Sequence, residues 1–82
     1  MSDPIVASLF KTLSERETTV LRLIADEHLT NRQIGERIGI VEGTAEAHVH
    51  HILKKLLVHS RQDAARMYLK GRVAIDADPT SK

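Results

Sequence analysis

The hydrophobic positions of this chain recur at helical spacing. The clearest stripe is Ala45, Val49, Ile52, Leu53 and Leu56, one face of an amphipathic helix expected over 42–57. The opposite face carries Gly43, Thr44, Ala47, His50, His51 and Lys54, so its N-terminal half is nearly bare and another molecule can approach the backbone closely. Val20, Leu21 and Ile24 set the inward side of a helix over 14–27, and a short helix follows over 31–38. A last helix is expected over 61–70, with Ala64, Ala65, Tyr68 and Leu69 inward, Met67 outward and Gly71 closing it. Asp3-Pro4 is a helix start ahead of Ile5, Val6, Leu9 and Phe10, so residues 1–12 read as a short extra helix or an arm. The polar, proline-containing end, 74–82, reads as a disordered tail.

Local chemistry marks the helix ends. Ser14-Glu15-Arg16-Glu17 and Thr30-Asn31-Arg32-Gln33 are capping boxes, in which the first side chain accepts from the fourth residue's N–H and the fourth side chain reaches back. Gly35 in mid-helix costs about 1 kcal/mol against alanine, which predicts a close approach of another helix there. Gly39 suits a left-handed helix end, with Ile40 as the apolar residue after it. Val41 stands where Ser or Thr would cap the helix over 42–57, so either Glu42, a neighbouring group or a bound phosphate oxygen must serve its first N–H groups.

Size and composition narrow the field. Eighty-two residues make one small domain without cysteine, so neither disulfides nor thiolate metal sites enter. No apolar run approaches the roughly 20 residues that span a bilayer, and no leader opens the chain, so a cytoplasmic protein with no membrane partner is expected. Twelve Lys and Arg against eleven Asp and Glu give a net charge of +1, which is not the basic excess typical of nucleic-acid binders. From Arg61 to Arg72 the chain is locally basic (Arg61, Arg66, Lys70 and Arg72), while acids gather at Asp26, Glu27 and the tail.

A short helix, a tight turn and a second helix with an uncluttered face form the helix-turn-helix pattern, whose second helix enters the DNA major groove. The residues that build it also carry a family resemblance. Leu13-Ser14-Glu15-Arg16-Glu17, Val20-Leu21-Arg22-Leu23-Ile24-Ala25, Thr30-Asn31-Arg32-Gln33-Ile34-Gly35, Gly39-Ile40, Glu42-Gly43-Thr44, His48-Val49, Ile52-Leu53-Lys54-Lys55-Leu56, Val58, Ser60-Arg61 and Gly71-Arg72-Val73 occur in order and at nearly the right spacing. Over 13–73 the chain resembles the C-terminal DNA-binding domain of the LuxR/FixJ/NarL (GerE-like) group of bacterial regulators. The resemblance implies an all-α, four-helix helix-turn-helix domain that binds double-stranded DNA as a homodimer, often paired through its last helix, here at Ala64, Met67 and Tyr68. It implies base contacts at Glu46, Ala47 and His50, and backbone contacts at Asn31, Arg32, Thr44, His51 and Lys54. A related regulator or RNA polymerase is a further expected partner, and no cofactor is expected.

The chain departs from the family's pattern at three places. The segment Asp26-Glu27-His28-Leu29-Thr30 is one residue longer than the usual turn and lacks its glycine, so the first long helix runs on or ends differently. Ala45 replaces the usual valine, and Glu46 the usual Lys or Arg. Glu46 has three readings: an acceptor for cytosine N4, a local partner of His50 or a lysine, or a plain loss of affinity against phosphate. His50 can donate to guanine, better when protonated, and Ala47 can meet a thymine methyl. His48 and His51 share a face, but two imidazoles do not make a closed metal site. No nucleophile–base set or phosphate loop points to an enzyme. The rival to DNA binding is a helix-turn-helix module that pairs with a related regulator and binds DNA weakly or not at all. Whether the chain is a free-standing regulator or an effector domain stays open.

Overall fold

The computed structural model describes residues 4–76, and these form five α-helices in the order α1 Pro4–Phe10, α2 Glu15–Glu27, α3 Asn31–Ile38, α4 Glu42–Leu56 and α5 Arg61–Asp76. Among the described residues there is no strand. This is the all-α helix-turn-helix domain expected, with the extra N-terminal helix present as α1. Both capping boxes form. Ser14 Oγ accepts from Glu17 N–H at 3.1 Å and Glu17 Oε1 accepts from Ser14 N–H at 2.9 Å. Thr30 and Gln33 do the same at 3.2 and 2.9 Å.

The core is assembled from one stripe per helix: Val20, Leu21, Leu23 and Ile24 from α2, Ile34 from α3, Ala45, Val49, Ile52 and Leu56 from α4, and Ala64 from α5. Leu53, expected inward, is half-buried against its edge. The turn after α2 solves its missing glycine with His28, which takes the left-handed conformation at φ 54° and donates its N–H to the Ile24 carbonyl at 3.1 Å, while Leu29 N–H reaches back to the Leu23 carbonyl at 3.5 Å. A bidentate ion pair between Arg37 and Glu27, 2.9 Å on each arm, then ties α3 to the end of α2.

The last helix differs from its sequence reading. It does not stop at Gly71 but continues to Asp76, and of the expected tail over 74–82 only 77–82 lie outside the described residues. Gly71 is a seat for Phe10: a Cβ there would lie 2.8 Å from Phe10 Cε2. Phe10 also meets Tyr68 edge-on, with ring centroids 6.3 Å apart. Ala64, Ala65 and Tyr68 face inward as expected, and Met67 also packs against the core where an outward position was expected. Leu69 is not part of that packing. No helix among the described residues is long and apolar enough to cross a membrane.

Among the described residues Glu17 is the one charged residue in the core, 5% exposed. Burial pushes its carboxyl up, but a 2.7 Å ion pair with Lys55 Nζ and the Ser14 N–H outweigh this and hold it below the usual 4.5. A carboxyl lowered by folding stabilises fully above its unfolded value, and the gain is lost as pH falls through the folded value. Stability should therefore decline as pH drops below about 4.5. Glu17→Gln keeps the reach back to Ser14 but loses the charge, at about 1.5 kcal/mol near neutral pH. Urea titrations at pH 7 and pH 3.5 check this: the variant should lose less between them than the parent, and equal losses would remove Glu17 from the acid response.

Candidate nucleic-acid interface

The helix-turn-helix is set by backbone contacts around Gly35. The N–H groups of Gly39 and Ile40 both donate to the Gly35 carbonyl at 2.9 Å, and Gly39 takes the left-handed conformation at φ 77°. A Cβ on Gly35 would lie 2.5 Å from the Ile40 carbonyl oxygen and 3.5 Å from Glu42 N. The close approach expected at Gly35 is thus to the turn and the first residue of α4. At that start Val41 supplies no side-chain cap and is 72% exposed, while Thr44 and Ala45 donate to its carbonyl at 3.0 and 3.1 Å. Among the described residues no side chain makes a cap hydrogen bond there.

The outward side of α4 faces a shallow concavity of about 440 Å³ lined by Asn31, Gly43, Glu46, Ala47, Val49, His50, His51 and Leu53. All three residues expected to read bases, Glu46, Ala47 and His50, lie on it, with Asn31 from α3 and His51. Arg32, Thr44 and Lys54 are exposed but outside it, and Arg32 makes only a loose 3.9 Å pair with Glu36. Of the readings of Glu46, local pairing is absent: no ion pair joins it to His50 or a lysine among the described residues. The His50 and His51 rings stand 6.3 Å apart, tilted, while His48 is half-buried and off the concavity. Gly43 has nothing within 4 Å of a Cβ position, so the fold places no demand for glycine there.

Other expectations need correction. Lys55, next to the expected backbone contact Lys54, is paired with Glu17 at 2.7 Å. Ala64 is fully enclosed in the core and offers no surface to a second copy, whereas Met67 and Tyr68 keep partial exposure. Sequence reasoning missed the role of Arg61. Its Nη1 donates to Asn31 Oδ1 and its Nη2 to the Leu29 carbonyl, both at 2.7 Å, so the start of α5 clasps the start of α3. Burial pushes the guanidinium below its usual value, and it remains charged at neutral pH. No local pattern announces such a clasp, because the partners lie 30 and 32 residues upstream.

Comparison with known proteins places these features in context. The pattern of the "Bacterial regulatory proteins, luxR family" matches residues 11–68. The chain is 45% identical over 53 residues to the nitrate/nitrite response regulator protein NarL of Escherichia coli, covering 65% of this chain and 24% of that one. It is 40% identical over 60 residues to nodulation protein W of Bradyrhizobium diazoefficiens, covering 73% and 26%. It is 38% identical over 72 residues to the oxygen regulatory protein NreC of Staphylococcus aureus, covering 88% and 30%. The chain thus spans at most 30% of the length of these three relatives. No solved structure matches it significantly.

Proposed function

The chain belongs to the luxR family of bacterial regulatory proteins, and on that premise we propose that it binds double-stranded DNA sequence-specifically, as a dimer on a two-fold site, to regulate transcription. Recognition helix α4 enters the major groove, with Glu46, Ala47 and His50 reading bases. Asn31, Arg32, Thr44, His51 and Lys54 meet the sugar–phosphate backbone on either side. Two copies pair through α5, using the exposed parts of Met67 and Tyr68. The observation that carries this reading is the concavity that gathers Asn31, Glu46, Ala47, His50 and His51 beside the bare Gly43. Small side chains there let a base edge come close, and the polar ones supply both donors and acceptors.

One observation favours the rival module that pairs with a related regulator. Glu46 puts an unpaired carboxylate in the middle of the face, where like charge disfavours phosphate. Fluorescence anisotropy on labelled duplexes across a range of salt separates the two. Each phosphate neutralised by a cationic side chain contributes roughly −0.9 to the log–log slope. Arg32, Lys54 and their counterparts in a dimer should give a slope of about −3 to −4. A folded chain that shows no binding at low salt would instead be the interaction module.

A further inference from the structure

We propose that Arg61 is a positioning residue for DNA binding: it fixes the Asn31 side chain so that its amide NH2 is presented to a phosphate oxygen beside the α4 concavity. This deepens the DNA reading and rests on it. An asparagine amide has an accepting end and a donating end, and the two are easily interchanged. At Asn31 the choice is made by chemistry. Arg61 Nη1 donates to Oδ1 at 2.7 Å, and the reversed amide would set donor against donor, because a guanidinium carries no acceptor. The amide nitrogen is left pointing elsewhere, and no acceptor meets it among the described residues.

The second arm of Arg61 makes the arrangement rigid. Its bond to the Leu29 carbonyl pins the segment just ahead of α3, so the fork spans a side chain and a main-chain acceptor two residues apart. A planar guanidinium holds two such acceptors at once, which an ammonium on a flexible stem does not. Asn31 is the first residue of α3, half-buried, and borders the concavity that holds Glu46, Ala47 and His50. An NH2 group fixed there donates to the phosphate flanking the bases read by α4. Arg61 itself stays turned inward to its two neutral acceptors, and no carboxylate pairs with it among the described residues.

A double-mutant cycle on the intact chain tests this, with anisotropy on a fluorescein-labelled duplex selected from a random library. Asn31→Ala and Arg61→Gln should each weaken binding about tenfold, the value of one hydrogen bond to a charged acceptor. The combined variant should be little weaker than either alone. The salt slope should stay unchanged in Arg61→Gln, since a neutral amide makes the contact. Additive losses with a slope shallower by roughly 0.9 would mean that Arg61 touches phosphate itself, and would overturn the proposal. A lower melting temperature with unaltered DNA affinity would make the clasp purely structural and overturn it equally. Should Arg61→Gln unfold, Arg61→Lys retains the charge and the stem but not the fork, and the same cycle applies. If the folded parent chain fails to bind any duplex, the DNA reading falls and this one with it. If the parent binds and only the cycle is additive, Arg61 alone is misassigned.

Discussion

Glu46→Lys should tighten DNA binding by about tenfold to a hundredfold, the range of one good base contact. The side chain is exposed, lines the concavity with Ala47 and His50, and has no ion-pair partner among the described residues. Its replacement removes a negative charge from beside the phosphates and adds a donor for a phosphate or for guanine O6 and N7. The gain is large because the face has few other cations. Arg32 and Lys54 lie outside the concavity, and Lys55 is spent on Glu17. Anisotropy and library selection on both proteins separate the possible origins. A tighter complex with a steeper salt slope assigns the gain to phosphate. A preference that moves from cytosine to guanine at one position assigns Glu46 to base readout in the parent. Unchanged affinity and unchanged preference would remove residue 46 from the interface.

Much of the site was legible because it is encoded locally. The period of α4 separates Ala45, Val49, Ile52 and Leu56 from Glu46, Ala47 and His50 without reference to any other helix. Two capping boxes fix where α2 and α3 begin. What stayed hidden depends on partners distant in sequence. Gly71 looks like a helix stop by propensity, yet Phe10, sixty-one residues upstream, packs on it and α5 runs on. Met67 likewise packs against the core, although its place in the helical period read as outward. The same holds for charge: nothing near Lys55 or Arg61 in the sequence points to Glu17, Leu29 and Asn31, which the fold sets opposite them. Helical period says which residues share a face, and only the packing says what that face meets.

Gly35→Ala should cost about 3 kcal/mol of stability and abolish DNA binding, although alanine is the better helix former. The added Cβ would sit 2.5 Å from the Ile40 carbonyl oxygen, with Glu42 N and Val41 C at 3.5 Å. All three are backbone atoms, so no side chain can swing aside. Relief requires opening the turn, and that strains the bonds from Gly39 and Ile40 to the Gly35 carbonyl. A small domain has about twice that stability in total, so the variant should stay folded at about 25 °C with about half its stability gone and a much lower melting temperature. Even then α4 would be displaced from α3, parting Asn31 from Glu46, Ala47 and His50, which share one concavity in the parent. Two other glycines calibrate the result. Gly71→Ala meets only the far end of the Phe10 ring, at 2.8 Å, and should cost about 1 kcal/mol as the ring moves away. Gly43→Ala meets nothing within 4 Å and should gain up to about 0.5 kcal/mol from helix propensity alone. Urea midpoints for the three variants should fall in the order Gly43→Ala, Gly71→Ala, Gly35→Ala, highest first. A Gly35→Ala protein within 1 kcal/mol of the parent that still binds DNA would mean that the turn yields freely, and that the α3–α4 geometry is held by the core instead.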